Sequence, residues 1–159
     1  MTLRRARASS AARCAAVVLV LACSGDPASP EERVRAVLAA IETAAEARDV
    51  GALRAHVSEG YADPRGNDAQ ALARIATFHF MQNRSVHLLS RVRELEVTAP
   101  GEARAEALVA MAGAPIPGPE ALPALRASLY RFEVRLREED GEWRVASAEW
   151  QPAVADDFR

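Results

Sequence analysis

One carboxylate in this sequence has the surroundings of a candidate general base. Asp63 lies in the segment Tyr61-Ala62-Asp63-Pro64-Arg65-Gly66, two residues from a phenol. A carboxylate that is enclosed by apolar side chains has a raised pKa and can take a proton near neutral pH. The alternative is structural and more common, because an aspartate before a proline often organises a turn by binding backbone amides. The sequence leaves both roles open for Asp63.

The three histidines, His56, His79 and His87, do not have the spacing of a metal site. Neither a His-x-His nor a His-x-x-x-His pair occurs. His79 falls on the apolar face of a predicted helix, where a lone histidine is more often a hydrogen-bonded core residue than a catalyst. The chain also lacks a phosphate-binding loop, a Gly-x-Ser-x-Gly motif, a Cys-x-x-Cys pair and a dinucleotide fingerprint. We therefore expect neither a metal nor a cofactor.

The first 22 residues are predicted to be a cleaved signal peptide. Their arginines form a cationic start with no acidic residue before Asp26, and an apolar run follows at residues 15–22. Eight residues rise only about 12 Å as a helix, whereas the hydrocarbon core of a bilayer is about 30 Å thick. The run is therefore too short to span a membrane and has the length of a signal-peptide core.

The segment Val20-Leu21-Ala22-Cys23 resembles the lipobox of bacterial lipoproteins. The resemblance implies that Cys23 becomes the new N-terminus and carries a thioether-linked diacylglycerol and an amide-linked acyl chain, which together anchor a protein stably. Ser24 follows instead of an aspartate, which favours the outer membrane under enterobacterial sorting rules. The predicted location is thus the periplasmic side of the bacterial envelope. An ordinary cleaved signal, and an uncleaved anchor or core helix, are the alternatives.

Length and composition predict one soluble domain behind this leader. The chain has 159 residues, of which 50% are hydrophobic and 26% are charged, enough for a core without disulfides. The formal net charge of -2 argues against nucleic acid as a partner, because proteins that bind it are usually basic. We divide the chain into a signal peptide (1–22), a tether (23–30), a domain (31–152) and a tail (153–159).

Three helices are predicted at the start of the domain. Ser29-Pro30-Glu31-Glu32 has the form of a capping box. Asp49 can cap a second helix, and Asn67 or Asp68 a third. The predicted helices cover residues 30–48, 52–59 and about 68–82. The apolar face of the third consists of Leu72, Ile75, Ala76, His79 and Phe80.

Four strands follow, because the apolar pattern changes to a period of two. They are predicted near residues 86–97, 103–111, 130–137 and 143–150, with a bulge at Arg93-Glu94 in the first. Asp140-Gly141 is a hairpin turn between the last two strands. A regular register across that turn places Leu136 opposite Val145, Val134 opposite Ser147 and Phe132 opposite Glu149.

In this register one sheet face carries Tyr130, Phe132, Ser147 and Glu149, which are candidates for the lining of a pocket. A carboxylate on an apolar face is costly to bury, so Glu149 lines a pocket or pairs with an arginine at its rim. Trp150 falls on the opposite face beside small residues, and that face is a candidate homodimer surface. The alternative is that arginine side chains cover Trp150.

Three helices followed by four antiparallel strands predict an α+β fold with the helices packed on one face of the sheet. Between residues 31 and 152 this order resembles the nuclear transport factor 2-like, or cystatin-like, cone. The segments that carry the resemblance are Glu46-Ala47-Arg48-Asp49, residues 61–66 and Asp140-Gly141-Glu142-Trp143-Arg144-Val145. The resemblance implies a curved sheet, a conical pocket and frequent dimers.

The resemblance is compatible with two classes of function, enzymes and non-catalytic proteins. The fold hosts isomerases, dehydratases, cyclases and many non-catalytic proteins. Catalytic members similar to ketosteroid isomerase or scytalone dehydratase imply Asp63 as base, with Tyr61 or His79 as its partner. Because no convincing constellation of this kind is evident, we favour a non-catalytic domain that binds an unidentified small molecule or an envelope protein. An enzyme of the isomerase, dehydratase or cyclase type is the alternative.

Substitution of the lipobox cysteine tests the predicted anchor. In Cys23→Ala the thioether cannot form, so we expect the protein in the soluble periplasm or as an unprocessed precursor. Cell fractionation with mass spectrometry of the N-terminus measures this. Cys14→Ala is the control and should behave like the unaltered protein, because Cys14 lies within the discarded peptide. Unchanged membrane fractionation of Cys23→Ala, with no acylated N-terminus in the unaltered protein, contradicts lipidation.

Overall fold

A computed structural model describes residues 28–159, and the predicted signal peptide, Cys23 and most of the tether lie outside the described residues. The helices are α1 (Pro30–Glu46), α2 (Val50–Ala55), α3 (Ala69–Gln82) and α4 (Leu122–Leu125), the last preceded by a 3₁₀ turn (Pro119–Ala121). The strands are β1 (His87–Ala99), β2 (Glu102–Ala112), β3 (Ser128–Glu139) and β4 (Glu142–Pro152). A second 3₁₀ turn, Ala155–Phe158, follows β4. Among residues 28–159 no helix has the length and apolar character needed to cross a bilayer.

The first three helices begin at the caps that the sequence predicts. The Ser29 hydroxyl accepts from the Glu32 amide at 3.2 Å, and the Glu32 carboxylate accepts from the Ser29 amide at 2.7 Å, which completes the capping box. Asp49 caps α2 and Asp68 caps α3, each by accepting an amide of the first turn. These local bonds satisfy amides that have no partner inside the helix.

The four strands form one antiparallel sheet in the order β1-β2-β3-β4. Helices α1 to α3 lie on one side of this curved sheet, so the predicted α+β fold class is confirmed. We call the side that faces these helices the inner face and the opposite side the outer face. The main core lies at the inner face and includes Val34, Ala103, Ala105, Val134, Leu136, Trp143 and Val145.

Three register shifts interrupt the regular pairing, and the sequence predicts one of them. The register between β1 and β2 shifts between Val92 and Glu94, which confirms the predicted bulge. β1 shifts again between Val97 and Ala99. In β4 a bulge follows Val145, and Ala146 is its extra residue. A bulge sets two residues against one, and every later side chain of that strand changes face.

The β4 bulge changes the predicted register. Beyond it the observed pairs are Arg135 with Ser147, Val134 with Ala148 and Phe132 with Trp150. Leu136 pairs with Val145 as predicted, because this pair precedes the bulge when counted from the hairpin turn. The predicted pairs of Val134 with Ser147 and of Phe132 with Glu149 are wrong.

The outer face has a smaller core near the start of β3. Leu108 and Ala110 of β2 pack there with Leu122 of α4 and Phe158 of the last 3₁₀ turn. Phe158 is fully buried, although it belongs to the predicted tail 153–159. The packed part of the chain therefore extends to Phe158.

Truncation of Phe158 tests whether the C-terminal turn belongs to the fold. Phe158→Ala removes a buried ring and leaves a cavity, so we expect the free energy of unfolding to fall by about 3–5 kcal/mol. Val154 is 62% exposed, and Val154→Ala is the control. It should change the free energy of unfolding by less than about 0.5 kcal/mol. Urea denaturation followed by circular dichroism measures both, and equal stability of the two variants would show that the turn is not packed.

Candidate functional site

The residues after α2 run along the free edge of β4 and position the candidate site. The Val145 amide donates to the His56 carbonyl at 2.8 Å, and the Ser58 amide donates to the Val145 carbonyl at 3.0 Å. The Ala62 amide donates to the Ala146 carbonyl at 3.1 Å. We call residues 56–62 the edge segment. It satisfies strand groups that would otherwise be unpaired at the edge of the sheet.

The edge segment also determines where α2 ends. The helix stops at Ala55, before the predicted Glu59, because residues that would extend it bind β4 instead. Tyr61, within the edge segment, and Asp63, just beyond it, are both buried. Pairing with the strand therefore brings two of the candidate residues to the inner side of β4.

The Asp63 carboxylate is enclosed by its own loop. Its Oδ1 accepts from the Arg65 amide and from the Asn67 amide, each at 2.9 Å. Its Oδ2 accepts from the Asn67 side-chain amide at 2.8 Å and faces the Tyr61 hydroxyl at 3.4 Å. Both oxygens thus have donors, and these contacts are those of the turn-organising alternative.

Two effects act on the pKa of the Asp63 carboxyl group in opposite directions. Burial raises this pKa, because the charged form loses water, whereas the donors from Asn67, Arg65 and Tyr61 lower it by favouring the charged form. The donors prevail, so the pKa of Asp63 lies below its ordinary value. A general base that works near neutral pH needs a raised pKa. The lowered pKa of Asp63 is the opposite of what that hypothesis requires.

Tyr61 connects the loop to the sheet. Its hydroxyl lies 3.4 Å from Asp63 Oδ2 and 3.4 Å from the Ala148 carbonyl oxygen. Burial, and then the negative charge of Asp63, raise the pKa of Tyr61 to about 12. The phenol therefore stays protonated at neutral pH and acts here as a hydrogen-bonding group.

His79 lies apart from this pair. It is half-buried on α3, with the Asn83 side-chain nitrogen 3.5 Å from its Nε2 and Phe80 in an edge-to-face contact at 6.2 Å between ring centroids. None of the donors to Asp63 is a histidine. Of the three candidate catalytic residues, the structure therefore brings together Asp63 and Tyr61 and leaves His79 elsewhere.

An aromatic cluster lies on the inner face, where the sequence places Tyr130 and Phe132 but not Trp150. Phe132 stacks on Trp150 with ring centroids 5.9 Å apart, and Tyr130 meets Phe132 edge-to-face at 6.2 Å. The Arg65 guanidinium lies 4.4 Å from the centre of the Trp150 ring and donates to the Trp150 carbonyl at 2.9 Å. This is a favourable cation–π contact. No local pattern reveals it, because the two residues are 85 positions apart in the chain.

The β4 bulge also separates the residues predicted to line a pocket. Tyr130 and Phe132 lie on the inner face, whereas Ser147 and Glu149 lie on the outer face, so the prediction that all four share one face is wrong. Trp150 belongs to the inner face as well. It is therefore not part of the outer surface on which a homodimer was predicted, although dimerisation itself stays a prediction.

Two surface clefts lie among residues 28–159, and one of them reaches the edge segment at Gly60 and Ala62. The larger, about 460 Å³, is on the outer face, and the smaller, about 140 Å³, lies between α3 and the ends of β2 and β3. Neither cleft is lined by Tyr61, Asp63 or the aromatic cluster. In the described part of the chain, no three histidine, cysteine, aspartate or glutamate side chains are grouped so that they could hold a metal ion.

Solved structures share this arrangement of helices and strands. A protein of the nuclear transport factor 2-like family from Streptomyces avermitilis, proposed to be a dehydratase, is similar with a TM-score of 0.62 at 15% identity, over 77% of this chain and 95% of its own. A ketosteroid isomerase-like protein from Erwinia carotovora atroseptica has a TM-score of 0.59 at 16% identity, over 78% and 96%. An uncharacterized protein with a cystatin-like fold from Caulobacter vibrioides has a TM-score of 0.58 at 16% identity, over 78% and 89%.

These similarities show the fold and leave the activity open. No protein-family profile and no curated protein matches the sequence. At these identities a shared fold does not carry a shared reaction. The chain has the nuclear transport factor 2-like, or cystatin-like, α+β fold that its order of elements implies.

Removal of the Asp63 carboxylate tests its role in the loop. Asp63→Ala leaves the amides of Arg65 and Asn67 without their acceptor, so we expect the free energy of unfolding to fall by about 1–3 kcal/mol near neutral pH. Because the pKa of Asp63 is lowered on folding, its stabilisation is complete above the ordinary value of 3.8 and is lost as the pH falls through the lower folded value.

The stability difference between Asp63→Ala and the unaltered protein should therefore shrink in acid. Chemical denaturation at neutral pH and at several acidic pH values measures it. Asp156→Ala is the matched control, because Asp156 forms only an exposed ion pair with Arg159 and should contribute less than about 1 kcal/mol. A difference that does not change with pH would show that the Asp63 charge does not hold the loop.

Proposed function

We propose that this protein is a lipid-anchored envelope protein whose domain binds a ligand or a partner protein without catalysing a reaction. The anchor is supported by the lipobox-like residues 20–23 and by the short apolar run before them. Helix α1 begins at Pro30, so the proposed tether between Cys23 and the domain is short. The proposed location is the periplasmic side of the envelope, and Ser24 favours the outer membrane.

The state of Asp63 is the observation that carries the proposal of a non-catalytic domain. Donors from Arg65, Asn67 and Tyr61 surround its carboxylate, and its pKa is lowered. A base must accept a proton from a substrate, which requires an accessible oxygen and a pKa near the working pH. The Asp63 carboxylate instead accepts hydrogen bonds that close the loop after the edge segment.

The enzyme alternative is compatible with the fold but gains no specific support from it. The similar structures include a ketosteroid isomerase-like protein and one proposed to be a dehydratase. Such an enzyme needs its base and its oxyanion donor at the wall of a substrate cavity. Asp63 and Tyr61 contact each other, but neither lines either of the two clefts.

Recovery of a bound molecule distinguishes binding from catalysis. The protein is crosslinked in its native membranes and purified, and co-purifying molecules are identified by mass spectrometry and nuclear magnetic resonance. When a recovered small molecule is returned to the stripped protein, we expect its chemical structure to stay unchanged. We also expect Asp63→Asn to retain binding within about threefold, with a lower melting temperature.

An enzyme that uses Asp63 would give a different result. It would convert the recovered molecule, and Asp63→Asn would stop that conversion while the exposed-site control Asp156→Asn would not. Conversion that depends on Asp63 therefore contradicts the proposed function and supports the enzyme alternative.

A further inference from the structure

The larger cleft is a groove on the outer face, at the end of the sheet that carries the β1–β2 and β3–β4 turns. Its volume is about 460 Å³, which lies within the range of about 300–1,000 Å³ that is usual for small-molecule sites. Its lining includes three arginines, Arg104, Arg135 and Arg137, and two hydroxyl side chains, Thr98 and Ser147. The charged side chains of the groove are therefore mainly basic, unlike those of the aromatic inner face.

Arginines face arginines in and beside this groove. In the sheet register Arg104 is opposite Arg135, and Arg137 is opposite Arg144. Like charges that lie directly opposite each other on one face destabilise a sheet. One arginine of each pair is neutralised, Arg104 by Glu133 and Arg144 by Glu142. The remaining positive charge therefore lies on Arg135 and Arg137, where a bound anion would balance it.

Two of the groove arginines are available to an anion. Arg104 is engaged, because it pairs with Glu133 at 2.9 Å. Arg135 and Arg137 are exposed, and between residues 28 and 159 neither forms an ion pair. Glu102 also lines the groove and is opposite Arg137 in the register, but the two side chains do not form an ion pair.

An acidic row limits where an anion can lie. Beyond the row that contains Arg104 and Arg135, the register places one glutamate from each strand side by side across the sheet. These are Glu94, Glu106, Glu133 and Glu149. Glu106 and Glu133 pair with Arg131 and Arg104, whereas Glu94 and Glu149 form no ion pair among residues 28–159. An anion is therefore attracted to the basic end of the outer face and repelled from the unpaired carboxylates of this row.

Strand bulges place hydroxyl groups on both sides of the groove. The β1–β2 register shifts between Val97 and Ala99, and Thr98 lies at that shift. On the other side the bulge at Ala146 turns Ser147 to the outer face, beside Arg135. Bulges commonly re-aim side chains in this way next to binding sites.

We propose that this groove binds a phosphate-bearing molecule, with Arg135 and Arg137 as its main contacts. A guanidinium presents a planar fork of N–H donors that matches phosphate oxygens. One arginine satisfies the two oxygens of a carboxylate, whereas the three terminal oxygens of a phosphate suit two arginines and the neighbouring hydroxyls. The proposal rests on the proposed function of a binding domain and names its ligand class.

Calorimetric titration of the purified protein with inorganic pyrophosphate tests the groove. We expect saturable binding that is at least about tenfold weaker in the double variant Arg135→Gln/Arg137→Gln, because two charge-assisted contacts are lost. The control Arg74→Gln/Arg91→Gln removes the same charge from two exposed arginines outside the groove. We expect this control to bind pyrophosphate with a dissociation constant within about twofold of that of the unaltered protein, because salt screens charges that lie outside the groove. Melting curves establish that both variants fold.

Vesicle sedimentation distinguishes two sources of the phosphate. Binding to vesicles of phosphatidylglycerol and phosphatidylethanolamine that pyrophosphate displaces would identify a lipid headgroup. Binding of pyrophosphate without binding to these vesicles would identify a soluble phosphate ester. The proposal is overturned if pyrophosphate does not bind the unaltered protein, or if both double variants bind it equally. Because this titration involves neither Cys23 nor Asp63, its failure leaves the proposed anchor and the non-catalytic domain intact.

Discussion

Pairing of the edge segment with the free edge of β4 is the interaction on which the rest of this structure depends. β4 is the last strand of an open sheet and would otherwise expose unpaired amides and carbonyls. The edge segment satisfies these groups and thereby sets the position of the loop that follows it. Tyr61 extends the contact to the Ala148 carbonyl, and Arg65 extends it to Trp150. Asp63 then closes the loop on itself, so that loop and strand form one unit.

The bulge at Ala146 determines which groups each face of the sheet receives. Trp150 turns toward the helices, where its ring meets Phe132 and the Arg65 guanidinium. Glu149 turns to the outer face, where its carboxylate is exposed to water. In a regular register Glu149 would face the apolar inner side, and an unpaired carboxylate is expensive to bury there. One extra residue thus keeps the inner face apolar and aromatic and leaves the outer face charged.

The two faces use their charged groups for different purposes. At the inner side the Asp63 carboxylate accepts hydrogen bonds from its own loop and holds that loop closed. On the outer face Arg135 and Arg137 are exposed and lie beside other arginines. Charge that remains unneutralised on a concave surface can attract a ligand. This division is the basis of the proposal that the domain binds a ligand or a partner without catalysing a reaction.

The sequence by itself determines the elements whose causes are local. Helix caps, the period of two in the strands and the Asp140-Gly141 turn, whose φ angles are 52° and 80°, depend on residues close together in the chain. They suffice for the α+β class. The sequence leaves two roles open for Asp63, and the donors around its carboxylate in the structure are those of the turn-organising role. Only the tertiary structure decides the bulge at Ala146, the burial of Phe158 and the contact of Arg65 with Trp150. The small residues around Ala146 can lie on either face of the sheet. The packing of Phe158 and the contact of Arg65 with Trp150 each join segments that are far apart in sequence. Their energies depend on the packing of the whole sheet, which no short segment encodes.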